Sequence, residues 1–176
     1  MAGMETLTDG VVTLVRWRPD HLDLLVDTVT ASLDHVGAWL FWAADGYDRA
    51  KGEEFLSRSM EEWESGGEYN YAIFTADGLA GGCGLMRRDD GREIGYWLAK
   101  PHTGKGYVTR ASALLVAEAW RQGATHVLIK HDRRNTGSGA VPPRLGFTEV
   151  GEEASVLPLA PACSGVNRVW RLERPE

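Results

Sequence analysis

The order of apolar patterns along the chain predicts a mixed α/β (α+β) domain: a mostly antiparallel sheet with one parallel strand pair, flanked by helices. Three observations carry this. Alternating runs at residues 69–75, 79–88 and 93–98 follow one another across the tight turns Ala76-Asp77-Gly78 and Asp89-Asp90-Gly91, as consecutive antiparallel strands do. A helical pattern at 107–122 separates the last of these from a strand-like run at 126–131, so that pair should be parallel, joined by a right-handed crossover. Two amphipathic helical stretches precede the first hairpin, which supplies a helical layer for one face of the sheet.

The elements follow in order. Residues 11–17 are rich in β-branched and aromatic side chains and read as the first strand. Pro19 and Asp20 punctuate it, and Leu22, Leu25, Val26, Val29 and Leu33 then recur at helical spacing, predicting a helix over 20–33. Residues 34–48 hold His35, Trp39, Leu40, Phe41 and Trp42 without clean periodicity; these rings either cap the core or line a pocket. A second helix over 49–64 carries Phe55, Leu56, Met60 and Trp63 as its stripe and stops at Ser65-Gly66-Gly67. Gly81, Gly82 and Gly84 inside the second hairpin strand indicate a bulge or a close backbone approach. After the helix over 107–122, ended by Gly123, and the strand over 126–131 come a poor helix over 135–144, interrupted by Gly137, Gly139, Pro142 and Pro143. Strands at 146–150 and 166–172, separated by a loop at 154–165, complete the chain.

At 176 residues, with no shift in composition along its length, the chain is expected to form one domain over 1–176. A formal net charge of −6 argues against a nucleic-acid partner and mildly favours a cationic one, such as an amine. Cys83 and Cys163 have no zinc-type spacing and do not form a disulfide scaffold, so no metal is expected and both thiols should be reduced. With neither a targeting pattern nor an apolar run long enough to span a bilayer, the expectation is a cytoplasmic protein with no membrane partner.

The chemistry is expected in residues 93–106, Glu-Ile-Gly-Tyr-Trp-Leu-Ala-Lys-Pro-His-Thr-Gly-Lys-Gly, a strand and a Gly-punctuated turn that open into a helix. Amides at a helix start lack acceptors and align with the helix dipole, which suits a phosphorylated ligand. The nucleoside-triphosphate P-loop does not fit, because Gly104-Lys105 is followed by Gly106 rather than by Ser or Thr at the required spacing.

Residues 94–109, followed by Asp132-Arg133-Arg134-Asn135-Thr136-Gly137-Ser138 and Arg144-Leu145-Gly146-Phe147, resemble the GNAT acyltransferase superfamily, and within it the RimJ/RimL group of protein N-terminal acetyltransferases. The likeness extends to the Trp39 to Trp42 segment and to the Gly-Gly-Cys-Gly-Leu hairpin strand, nearly the whole chain. It implies a GNAT-type sheet whose parallel pair splays, acetyl-CoA as acyl-donor substrate, and direct attack by an amine. The family's pyrophosphate pattern falls on Thr103, Gly104, Lys105, Gly106, Tyr107 and Val108; Thr103 replaces its Gln or Arg, and Val108 its final Gly or Ala. Losing a side chain at Thr103 should weaken binding rather than abolish it, since such loops bind mainly through backbone N–H groups. The resemblance further assigns Trp97 and Leu98 to the pantetheine arm through their backbone, Thr109 to the phosphates, and Asn135 to the pantetheine or to a helix cap.

Glu93 matches the family's acidic strand position and is the candidate general base, with a solvated strand-end Glu as the alternative. Ser138 is the candidate to hydrogen-bond the CoA sulfur, with helix capping as its alternative; the position where many relatives carry a Tyr is Pro142. His35, Trp39 and Trp42 are candidates for the acceptor. That acceptor is expected to be a protein N-terminal α-amine, or alternatively a small-molecule amine such as an antibiotic or metabolite; a non-catalytic acyl-CoA-binding module is a third reading. Homodimers occur in the resembling family and are among the assemblies it allows.

Overall fold

The computed structural model describes residues 2–176. An eight-stranded sheet organises it, in the order β1-β2-β3-β4-β5-β6-β8-β7. The strands are β1 (Thr6–Thr8), β2 (Thr13–Arg16), β3 (Glu68–Thr75), β4 (Gly78–Arg88), β5 (Gly91–Leu98), β6 (His126–Asp132), β7 (Thr148–Ala154) and β8 (Val166–Glu173). Every neighbouring pair is antiparallel except β5 with β6. The mixed, mostly antiparallel architecture is the one the sequence patterns predict.

Seven helices cover the sheet: α1 (Leu22–Ala31), α2 (Leu33–Trp39), α3 (Phe41–Ala44), α4 (Arg49–Ser65), α5 (Tyr107–Arg121), α6 (Thr136–Gly139) and α7 (Val141–Arg144), counted among the described residues. Successive residues of a strand point to opposite faces, and β3 shows the result directly. Tyr71 and Ile73 join a core with Leu85, Ile94, Leu115 and Ile129, while Ala72 between them joins Trp17, Leu25, Val29 and Leu56. Helix α5 therefore covers one face through Ala111, Leu115 and Ala119, four residues apart, and α1, α2 and α4 cover the other. Burying each large apolar side chain of this kind contributes about 1.5–3 kcal/mol.

The run of glycines in β4 has a packing reason. A Cβ at Gly81 would stand 2.1 Å from the Trp97 carbonyl oxygen, and one at Gly82 2.6 Å from Trp97 Nε1. The pairing also skips Ala80, since Ile73 faces Gly81 and Phe74 faces Leu79. Both features expected of this strand, a bulge and a close approach, are present.

Four segments differ from the sequence expectation. The three-residue β1 pairs with β2 across a turn in which Asp9 Oδ1 accepts from the amides of Val11 and Val12, too short a strand to show alternation. Residues 34–48 hold most of α2, which begins at Leu33 rather than that residue ending α1, and all of α3, the two broken from one another by an extended Leu40 (φ −114°, ψ 115°), so no single stripe develops. Residues 135–144 form two single turns rather than one helix, and Pro142 is tolerated because it lies in the first turn of α7, where an N–H would have no helical acceptor. The strand expected from residue 146 begins at Thr148 and runs on to Ala154.

What the fold positions is the gap between β5 and β6. Parallel pairing joins Arg92 to Val127, Glu93 to Leu128 and Ile94 to Ile129, and stops there. Both strands continue, β5 to Leu98 and β6 to Asp132, so they diverge. No helix among the described residues is long and apolar enough to cross a membrane.

Candidate active site

The chain leaves β5 through a 3-10 turn, Lys100–His102, into α5. The Lys100 peptide is held on both sides: its N–H donates to Ser32 Oγ (3.0 Å), and its carbonyl accepts from Thr103 N (3.2 Å) and Thr103 Oγ1 (2.7 Å). Thr103 thus uses its hydroxyl to close its own turn. Gly104 and Gly106 take φ of +77° and +78°, a conformation that L side chains rarely adopt. Nothing lies within 4 Å of a Cβ built on either, so these glycines serve the backbone and leave open space above it.

The first i to i−4 bond of α5 runs from Arg110 N to Gly106 O (3.1 Å). The amides of Gly106, Tyr107, Val108 and Thr109 therefore head the helix without intrahelical acceptors, at the positive end of its dipole. Thr103, Gly104, Lys105 and Gly106 are exposed, whereas Tyr107, Val108 and Thr109 are half-buried. Thr109 Oγ1 is itself buried and has no hydrogen-bond partner.

On the α5 side of the diverging strands, Tyr96 donates its phenol to Ser138 O (2.9 Å) and so ties β5 across the gap to α6. Burial pushes that phenol up to about 12, against the opposing effect of its bond to Ser138. Asn135 caps α6, its Oδ1 accepting from Ser138 N (3.2 Å). Of the two roles open to Ser138 in the sequence, capping is thus performed by Asn135. Beyond Ile94 no strand pairs with β5 on the β6 side among the described residues, which leaves the edge that carries Trp97 and Leu98 open to an extended partner.

The other face holds Glu93, Gly95 and Trp97. Trp97 packs edge-on against Trp42 (centroids 5.8 Å apart), and Trp42 against Tyr47 (5.7 Å), whose phenol burial pushes up to about 12. Glu93 lies one residue before the last paired residue of β5, Ile94, its side chain only 14% exposed. Arg88 Nε donates to its Oε1 at 3.1 Å, and Lys130 Nζ stands 3.7 Å from the same oxygen and 2.8 Å from Glu153 Oε1. Glu93 is therefore neither a solvated strand-end carboxylate nor a partner of Arg92, which bonds Gln122 instead.

A loop from the far end of the chain closes this face. Ala162 N donates to Ala38 O (2.9 Å), and the Cys163 thiol to Trp39 O (3.4 Å). The loop is anchored by Asp132, whose Oδ2 accepts from Ser164 N (2.8 Å), Ser164 Oγ (3.1 Å) and Gly165 N (3.1 Å). Burial alone would raise the Asp132 acid, but the amides of Arg134, Gly165 and Ser164 and the Ser164 hydroxyl outweigh it and hold it below the usual carboxylate range. Trp39 and Trp42 stand at this wall, while His35 lies within electrostatic reach of Lys100; burial first, and that ammonium second, lower its pKa and favour the neutral ring. Burial pushes the Cys83 thiol up, which makes it a poor nucleophile.

Sequence reasoning missed Arg88, Lys130, Glu153, Tyr96 and Asp132. Period-two alternation places Tyr96 with Ile94 and Leu98 on the face opposite Glu93, as observed, without indicating its bond to Ser138, and the reach of Lys130 to two other strands has no local signature. No group of three or more His, Cys, Asp or Glu residues suited to a metal occurs among the described residues.

Residues 12–148, which span the open strand pair, the glycine turn and the start of α5, match the model of the acetyltransferase (GNAT) domain family, to which the chain belongs. Among individual proteins it is similar to YdaF of Bacillus subtilis (strain 168), provisionally named a ribosomal N-acetyltransferase, with 26% identity over 155 residues covering 80% of each chain. It also superposes on RimL, a ribosomal L7/L12 alpha-N-protein acetyltransferase solved with coenzyme A (TM-score 0.86, 20% identity, 96% of this chain and 98% of that one). A third likeness is to the microcin C7 self-immunity acetyltransferase MccE, solved with acetyl-CoA and AMP (TM-score 0.85, 22% identity, 95% and 94%). At such identities the two structures establish the shared fold alone.

Proposed function

We propose that this chain, as a single domain over 1–176, transfers an acetyl group from acetyl-CoA to a primary amine, and that the acceptor is a protein N-terminal α-amine, as in the RimJ/RimL group. The observation that carries the reading is the divergence of β5 and β6 beyond Ile94 and Ile129, leading directly to the helix-start amides of α5. The residues fit the donor: the left-handed Gly104 and Gly106 have open space above them, and the free amides match a pyrophosphate.

The donor supplies a thioester, whose acetyl carbon gains a bond to the amine nitrogen as the C–S bond breaks, the nitrogen giving up a proton and the sulfur taking one. Glu93 receives the amine's proton, directly or through a water. The hydroxyl of Ser138 hydrogen-bonds the departing sulfur; Asn135 and Tyr96 hold it there by fixing α6 from two directions. Trp97 and Leu98 pair through their backbone with the pantetheine arm, and Trp39 and Trp42 wall the acceptor side.

A small-molecule amine is the second reading, favoured by the bridge from Ala162 to Ala38, which closes one end of the acceptor face. Incubation with labelled acetyl-CoA, a peptide panel and an amine panel separates the two, and absence of transfer to every peptide overturns the first. Glu93→Gln and Ser138→Ala should each lower turnover at least tenfold, roughly the low end for losing acid–base assistance. Unchanged rates in both variants overturn the assigned roles.

A further inference from the structure

We propose that Lys130 is a positioning residue for Glu93, acting with Arg88 to grip one carboxylate oxygen and leave the other for proton transfer; this rests on the reading of Glu93 as base. Both cations approach the same atom: Arg88 Nε lies 3.1 Å and Lys130 Nζ 3.7 Å from Glu93 Oε1, and no hydrogen bond is made to Oε2 among the described residues. A carboxylate held through one oxygen has a fixed plane, and its second oxygen is the basic site that remains.

The placement of Lys130 supports this role. It is the first residue of β6 beyond the last paired row, Ile94 with Ile129, so it stands at the mouth of the gap beside Glu93. A flexible lysine would normally sweep a wide volume. Here the side chain is only 26% exposed, and its ammonium is restrained from the opposite side by Glu153 of β7 at 2.8 Å. The four groups Arg88, Glu93, Lys130 and Glu153 carry balanced charge and come from four strands, so they share one geometry set by the sheet. Arg171 of β8, on the same face, is taken up by Glu173.

Two measurements on the full chain test the proposal. In the first, the carboxyl carbon-13 resonance of Glu93, assigned by its loss in Glu93→Gln, is expected to move in Lys130→Met and to return towards its wild-type position in Lys130→Arg. An unmoved resonance in Lys130→Met overturns the proposal whatever the acceptor. In the second, with an amine from the acceptor panel, Lys130→Met should lower kcat roughly tenfold at unchanged KM for acetyl-CoA, and Lys130→Arg should recover most of it. The double variant Lys130→Met/Glu93→Gln should be no slower than Glu93→Gln alone, because Lys130 acts through that carboxylate. Multiplying losses in the double variant, or full turnover in Lys130→Met beside a slow Glu93→Gln, overturn the proposal alone. Full turnover in Glu93→Gln overturns the base assignment and the proposal with it.

Discussion

The two sides of the gap are built by different means. The side we assign to the donor's pyrophosphate is local: the ten residues from Lys100 to Thr109 make it, with backbone amides, two left-handed glycines and a turn that Thr103 closes on itself. The side we assign to the acceptor is assembled from segments more than 110 residues apart, since Ala38 and Trp39 of α2 meet Ala162 and Cys163 of the late loop. Asp132 at the end of β6 is what holds that loop in place. A backbone site tolerates side-chain change provided φ and ψ survive, whereas a side-chain site fails when one anchor is lost. This is why Thr103 and Val108 can depart from the family pattern at the donor side without removing the amides that define it.

Four changes would break or sharpen the contrast. The largest effect is expected in the strand that lies beneath both sides. In Gly81→Ala the new Cβ would meet the Trp97 carbonyl at 2.1 Å, and a backbone atom cannot yield as a side chain can. The expected cost is about 3 kcal/mol, the upper part of the overpacking range, seen as a lower urea midpoint; both sides should fail together.

Asp132→Ala comes next and should act chiefly on the late loop of the side we assign to the acceptor, with a smaller effect on the turn at Arg134 that leads into α6. Three amides and a hydroxyl lose a buried acceptor, at a cost of about 1–3 kcal/mol. Amide exchange at Ser164 and Gly165 should quicken and the KM for the acceptor rise several-fold, an order-of-magnitude expectation from the lost anchor, while acetyl-CoA affinity holds. The folded acid is more easily ionised than in the unfolded chain, so wild-type stability from this group is complete above the ordinary aspartate value of about 3.9 and declines as pH falls through the lowered folded one. The Asp132→Ala variant should lack that acid-side decline.

Gly106→Ala should touch only the donor side. The left-handed backbone disfavours a Cβ by about 1–2 kcal/mol, yet nothing within 4 Å obstructs it. Calorimetry should show weaker acetyl-CoA binding with the acceptor KM unchanged; equal losses on both sides would end the distinction between them. The smallest effect is expected from Cys163→Ala, within about 0.5 kcal/mol of wild type. In the wild type, burial and the nearby Asp132 carboxylate push this thiol up, so alkylation at neutral pH should be slow and should accelerate in Asp132→Ala.

The same contrast explains what could be read from residues alone. Alternation in residues 69–98, the 3.6-residue stripe of α5 and the glycines at 104 and 106 determined the antiparallel hairpins, the helix that follows β5 and the turn between them, because each depends on neighbours within a few residues. The order of motifs from Ile94 to Phe147 likewise determined the family. Tertiary structure alone decided that α2 and α3 are helices, since Leu40 interrupts their periodicity and packing supplies what propensity does not. It also decided that Glu93 is gripped by Arg88 and Lys130, and that Asp132 anchors a loop more than thirty residues away in sequence. The physical reason is one of range: backbone conformation and hydrophobic period are local properties of a chain, while the partners of a charge are chosen by whichever strands the sheet brings alongside it.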